Sequence, residues 1–232
     1  MLALVTGTSK GIGLEIVKHL AQNPANVIIA VSRNITGLTE YVKKQKISNI
    51  KVVKADITNA TQRKKISSEI KKLKIPLDIL INNAGELVNK SFEKISEKEL
   101  FSVYNTNVFA PYHLIQETLP HLNKKVKTHI VNISSIGGYQ GSSKFAGLSA
   151  YSSSKAALCG LTECLAEEFK NKNIAVNCLA LGAVQTEMLS KAFPGYKAPI
   201  TAKQMAEFIC EFALTAQKYF NGKIIPVSLS TP

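Results

Sequence analysis

Tyr151 and Lys155 stand four residues apart in the stretch Tyr-Ser-Ser-Ser-Lys. On a helix, positions i and i+4 share one face, so a phenol and an ammonium can enter one pocket. A free tyrosine titrates at a pH of about 10. A neighbouring ammonium stabilises the phenolate and brings proton transfer closer to neutral pH. Ser135 ends the apolar run before this stretch. A hydroxyl at a strand's carboxyl edge can hold a carbonyl oxygen; taken alone it reads as a turn serine. The chemistry these residues suggest is acid–base work on a carbonyl or an alcohol.

A second cluster is the turn Thr6-Gly7-Thr8-Ser9-Lys10-Gly11-Ile12-Gly13. Glycines permit a tight backbone and close approach of a pyrophosphate to a helix N-terminus, whose free N–H groups attract anions. The spacing is G-x-x-x-G-x-G. Gly7, Ser9, Lys10, Gly11, Ile12 and Gly13 are the candidate contacts. The residue after the second strand selects the dinucleotide: an acid bonds a ribose 2′-hydroxyl, a base accepts a 2′-phosphate. Here that position is Arg33, one of two arginines in the chain, and Lys10 could reach the same phosphate. Together they favour NADP(H) over NAD(H).

Positioning these residues requires a particular order of elements. Apolar runs without polar alternation, the pattern of strands buried on both faces, occur at 2–6, 27–31, 50–53, 79–82, 129–134, 174–180 and 223–227. Helical spacing is found at 12–20, 37–46, 61–73, 97–122, 151–171 and 202–216. Strands alternating with helices predict βαβ units, hence an α/β fold with a parallel sheet and helices on both faces. Ligands bind such sheets beyond the strands' carboxyl ends. No internal linker or repeat interrupts the chain, which predicts a single domain over residues 1–232.

Composition excludes several classes. The chain has 232 residues, 45% hydrophobic and 19% charged, as a globular core requires. The net charge of +13 invites polyanion binding, but 27 of the 29 basic residues are lysines, and nucleic-acid readers favour arginine. There is no Trp and no basic-aromatic stripe, so nucleic acid is not an expected partner. Ten of the thirteen net charges fall in residues 1–75. Cys159, Cys164, Cys178 and Cys210 form no CxxC pattern and lie among apolar residues, which predicts buried free thiols and no metal. No run approaches the ~20 apolar residues of a membrane span. The apolar start reaches Gly7 too early for a signal peptide, so a cytoplasmic protein is expected.

In these motifs the chain resembles the short-chain dehydrogenases/reductases of the compact single-domain branch, over residues 2 to about 227. Their T-G-x-x-x-G-x-G motif matches Thr6 to Gly13. Their acidic residue after strand three matches Asp56, followed by Ile57; their N-N-A-G motif matches Asn82, Asn83, Ala84 and Gly85. Asn107, Ser135, Tyr151 and Lys155 match the catalytic set. The resemblance implies a Rossmann-type doubly wound sheet of about seven strands. It also implies NADP(H)-dependent hydride transfer to a carbonyl or from an alcohol, with a 3-oxoacyl thioester reductase as one form. Tyr151 would exchange the proton and Ser135 orient the substrate oxygen. Lys155 would hold the nicotinamide ribose and depress the Tyr151 pKa, and Asn107 would anchor a water. Asp56, Ile57, Asn83, Ala84, Gly85, Gly182, Val184 and Thr186 would complete the cofactor contacts. A homodimer or homotetramer through the helices at 97–122 and 151–171 is implied too.

Three departures from the family pattern stand out. Leu181 replaces the usual proline before Gly182, which loosens a rigid turn. Ser135 and Tyr151 lie 16 residues apart, a little more than usual, and the substrate loop at 187–200 is short. The alternative to an enzyme is a non-catalytic NADP-binding sensor or scaffold of the same fold.

Overall fold

The computed structural model describes residues 1–229. The first half runs β1 (Leu2–Thr6), α1 (Gly11–Leu20), β2 (Val27–Ser32), α2 (Thr36–Lys44), β3 (Ile50–Lys54), α3 (Ala60–Leu73) and β4 (Ile79–Asn82). The second half runs α4 (Glu97–Tyr104), α5 (Ala110–Thr118), β5 (Thr128–Ser135), α6 (Ser149–Glu168), β6 (Ile174–Leu181), β7 (Val184–Gln185), α7 (Glu187–Ala192), β8 (Ile200–Thr201), α8 (Ala202–Thr215) and β9 (Ile224–Val227). The single-domain expectation extends to 230–232, which lie outside the described residues.

Seven strands form one sheet in the order β3-β2-β1-β4-β5-β6-β9, every pair parallel. The expected seven-stranded, doubly wound α/β sheet is therefore present. Period-2 alternation feeds two cores. Ala3, Val5, Ile28 and Ala30 face α1, α2 and α8. Leu2, Leu4, Ile29 and Val31 face α3, α5 and α6. All eight are fully buried. Each of the large ones contributes about 1.5–3 kcal/mol over an exposed side chain, more than any surface ion pair. Apolar burial on both faces thus dominates the sheet's stability. The strand order reverses between β1 and β4, which opens a crevice at their carboxyl ends.

The helix expected over 97–122 is broken. α4 ends at Tyr104, a π-helical turn occupies Asn105–Phe109, and α5 follows. Asn105, Thr106 and Asn107 are weak helix formers, and their side chains compete for hydrogen bonds. The wider turn buries Asn107 completely. Pro120 closes the segment in a last short turn, Leu119–His121.

Inside the sheet, His129 is fully buried between β5, β6 and α8. Its Nδ1 lies 3.0 Å from the Ala213 carbonyl, which can only accept, so Nδ1 carries the proton. Nε2 accepts from Asn177 Nδ2 at 3.0 Å. Burial pushes its pKa down to about 4. The cysteines depart from expectation in one case. All four are free, and Cys159, Cys178 and Cys210 are buried, but Cys164 is exposed on α6. Helical spacing explains the exception. Leu158, Cys159, Thr162, Leu165 and Ala166 form the buried stripe of α6, and position 164 falls on the opposite face.

Candidate active site

The turn after β1 forms one wall of a cleft of about 480 Å³. Gly7 and Gly11 have φ of +72° and +58°, a conformation that favours glycine. A Cβ on Gly7 would lie 2.7 Å from Ala84 Cα, and one on Gly13 2.3 Å from the Gly7 carbonyl oxygen. The turn is sewn to the loop after β4. Thr6 Oγ1 accepts from the N–H groups of Asn83 and Ala84, both at 3.1 Å. Asn83 Nδ2 donates to the Thr6 and Gly7 carbonyls at 2.9 and 3.2 Å. Asn83 thus shapes the turn with its side chain while lining the cleft.

This cradle fits a pyrophosphate. Lys10 at the N-cap of α1 makes no side-chain capping bond, so the first-turn N–H groups are left for a ligand. Thr8 Oγ1 is buried beneath the turn with no hydrogen-bond partner among the described residues.

At the far end of the cleft, Ser32, Arg33 and Asn34 follow β2, with Arg33 exposed. Asp56 and Ile57 lie beside them after β3. Asp56 Oδ1 accepts from Thr58 N and Oγ1 at 2.9 and 2.7 Å, fixing its own turn. Arg63, the second arginine, is buried on α3. It donates to the Ile57 carbonyl at 2.9 Å and pairs with Glu117 at 3.1 Å. Its task is to hold this loop. Lys10 is turned elsewhere: its Nζ lies 2.5 Å from Glu187 Oε2 on α7. Lys191 sits 2.7 Å from the other oxygen of Glu187. The two ammonium groups hold the Glu187 carboxyl at about 2.

Ser135 at the end of β5 and Tyr151 on the first turn of α6 meet at the other end of the cleft. Lys155 is one turn along, its Nζ 5.9 Å from the Tyr151 ring centre. It donates to the Ile133 carbonyl at 2.8 Å. Burial pushes the Lys155 ammonium down to about 8. Burial raises the Tyr151 phenol, and a hydrogen bond with Ser135 acts the other way. Desolvation is the larger influence, and Ser135 supplies the opposing one.

Asn107 lies behind this group. Its Oδ1 accepts from Glu86 N at 2.8 Å, and its Nδ2 donates to the Glu86 carbonyl and to Ser154 Oγ, both at 2.9 Å. Ser154 Oγ in turn donates to the Tyr151 carbonyl at 2.7 Å. A Cβ on Gly85 would sit 3.4 Å from Lys155 Nζ and 3.5 Å from Asn107 Oδ1, so this residue keeps the passage between them open. The third wall follows β6. Leu181 is in register with Ser135 and Val227, and Gly182 N donates to the Val227 carbonyl at 2.9 Å. The strand ladder fixes this turn in place of the missing proline. Val184 lines the cleft from β7, and Thr186 caps α7 by accepting from Leu189 N at 3.2 Å. Thr186 Cγ2 also packs 3.7 Å from the Cβ position of Gly11.

The structure thus brings Gly7, Ser9, Lys10, Gly11, Ile12, Gly13, Arg33, Asp56, Ile57, Asn83, Ala84, Gly85, Ser135, Tyr151, Lys155, Gly182, Val184 and Thr186 to one cleft, with Asn107 buried just behind it. Sequence reasoning missed Glu86, Ser154, Phe145 and Phe193. Glu86 directly follows Gly85, and that adjacency was the one available signal.

Residues 1–197 match the family model described as short chain dehydrogenase. The chain belongs to the short-chain dehydrogenase family. A 3-oxoacyl-[acyl-carrier-protein] reductase FabG of Chlamydia trachomatis is 30% identical over 97% of this chain and 94% of its own. A 4-hydroxyisoleucine dehydrogenase complexed with NADH superposes with a TM-score of 0.86 at 26% identity, covering 98% of this chain and 96% of that one. The Pseudomonas aeruginosa RhlG/NADP active-site complex gives 0.85 and 26%, covering 98% and 94%.

Proposed function

We propose that this chain, as one dinucleotide-binding and catalytic domain, is an NADP(H)-dependent oxidoreductase acting on a carbonyl or alcohol. The observation that carries the reading is the meeting of Ser135, Tyr151 and Lys155 in the cleft that also holds the glycine cradle. Relatives named as ketoacyl and 3-oxoacyl reductases support reduction of a ketone.

When bound, the nicotinamide supplies or accepts the hydride. The glycine turn and the N-terminus of α1 hold the pyrophosphate. Asp56 and Ile57 bracket the adenine end, and Gly182, Val184 and Thr186 hold the nicotinamide end. The Arg33 guanidinium would donate to the 2′-phosphate. Among the described residues, no carboxylate of the cleft lies at the end of β2, which favours NADP(H) over NAD(H). Ser135 and Tyr151 hold the substrate oxygen between their hydroxyls. Tyr151 gives its proton to that oxygen in reduction and takes it back in oxidation. Lys155 holds the ribose and keeps positive charge under the ring. Asn107 acts by fixing the Glu86 peptide and Ser154, and through Ser154 the first turn of α6.

The test is NADPH consumption over a carbonyl panel by the native protein and by Tyr151→Phe. Native turnover falling at least about 1,000-fold in the variant, with NADPH affinity kept, is the expected result. Undiminished turnover in the variant would remove Tyr151 from the mechanism. Exposed Leu100, Phe101, Phe109 and Tyr112 along α4–α5 support a homodimer or homotetramer. A cytoplasmic location accompanies this reading, and no helix among the described residues is long and apolar enough to cross a membrane.

A further inference from the structure

We infer that the site selects uncharged, apolar ketones and secondary alcohols over carboxylate-bearing or polyhydroxylated ones. The inference rests on the oxidoreductase reading above and deepens it to a substrate class. Three segments line the cleft beside Ser135 and Tyr151: the first through Leu87, the second through Phe145 and Leu148, the third through residues 188, 189, 192 and 193. Among the described residues, the side chains they give to the cleft are all apolar, chiefly Leu87, Phe145, Leu148, Met188, Leu189 and Phe193.

The roof is built rather than incidental. The Phe145 and Phe193 rings meet edge to face at 5.6 Å and 75°. Asn89 Nδ2 donates to the Ala192 carbonyl at 2.7 Å, and Lys90 N donates to the Gly147 carbonyl at 3.0 Å. Gly147 has φ of +83°, and a Cβ there would lie 2.1 Å from Asn89 Oδ1. Only glycine lets the two loops close this tightly.

Charge is distributed to the same effect. Among the described residues, the cations lining the cleft are Lys10, Arg33 and Lys155. Lys10 is held by Glu187, Arg33 stands at the opposite end beyond β2, and Lys155 is buried against the Ile133 carbonyl. None of these is placed to pair with a substrate carboxylate: the exposed Lys10 is already engaged by Glu187, which Lys191 also pairs. The hydroxyls of Ser135 and Tyr151 satisfy one oxygen. Further polar groups on the substrate would lose water against Phe145, Phe193 and Met188 without replacement.

The experiment uses the native protein with NADPH and four carbonyls: 2-heptanone, acetophenone, 6-oxoheptanoate and dihydroxyacetone. The first and third differ only in a terminal methyl against a terminal carboxylate. We expect kcat/KM for 2-heptanone to exceed that for 6-oxoheptanoate by about 100-fold, with dihydroxyacetone equally disfavoured. Met188→Arg places a cation on the roof at a position 40% exposed, where folding tolerates it. It should narrow the ratio about tenfold by raising turnover of the acid relative to 2-heptanone. Turnover of 6-oxoheptanoate or dihydroxyacetone as fast as 2-heptanone would overturn the inference and leave the oxidoreductase reading standing. So would an unchanged ratio in Met188→Arg. Absence of hydride transfer to all four, in protein that binds NADPH, would overturn that reading, and this inference with it.

Discussion

Asn107 holds the Glu86 peptide at both ends, accepting from its N–H at 2.8 Å and donating to its carbonyl at 2.9 Å. The Glu86 carboxylate returns the link by accepting from Ser102 Oγ at 2.7 Å and Thr106 Oγ1 at 3.0 Å. The loop after β4 and the π-turn that carries Asn107 are thereby one unit. Asn107→Ala removes three hydrogen bonds from a fully buried site and should cost about 3 kcal/mol, read by urea denaturation. Glu86→Ala leaves two hydroxyls without their acceptor and should cost about 1–3 kcal/mol. A loss below about 0.5 kcal/mol in both variants, the size of a surface substitution, would refute the clamp.

The Lys155 ammonium is held down to about 8 from an ordinary value of 10.5, by burial. The unfolded chain therefore binds this proton more tightly than the folded one. Its penalty is full below pH 8 and is relieved as pH rises toward 10.5, worth about 3 kcal/mol. Comparing urea midpoints of the native protein with Lys155→Met across this window isolates the effect. The native protein should gain stability relative to the variant as the solution is made alkaline, and parallel curves would contradict the assignment.

His129 has the same sign at a lower pH. Its folded pKa of about 4 lies below the ordinary 6.5, so its stabilising effect is complete above 6.5 and is lost as pH falls toward 4. The loss amounts to about 3 kcal/mol. Its imidazole resonances followed by NMR should remain those of the Nδ1-protonated neutral ring down to about pH 5. Titration near 6.5 would show that the ring is not sealed between β5, β6 and α8.

Arg33 and Lys10 make separable predictions about the cofactor. Arg33→Asp should weaken NADPH at least about tenfold and improve NADH, read by fluorescence titration. Equal native affinity for the two cofactors would sink the preference. Glu187→Gln releases Lys10 from its ion pair, so NADPH affinity should rise about threefold and become more salt-dependent. Affinity unchanged at low salt would mean that Lys10 does not reach a phosphate even when free.

Much of this protein is written in local sequence. The run from Leu2 to Val5 is buried on both sheet faces because none of its side chains is polar enough to face water, and runs of this kind demand a parallel sheet covered by helices. The turn at 6–13 is legible because glycines are required where Cβ atoms would strike Ala84 and the Gly7 carbonyl. Tyr151 and Lys155 are legible because helical spacing puts them on one face. What sequence could not settle lies where distant segments meet. The break at Asn105–Phe109 follows from bonds to Glu86 and Ser154, 21 and 47 residues from Asn107. Lys10 turns to Glu187, 177 residues away, and no local pattern announces that choice. The apolar roof forms because Phe145 and Phe193 close on each other from separate loops. Local spacing determines which elements form; which side chains are left free to act is decided by the partners tertiary packing brings to them.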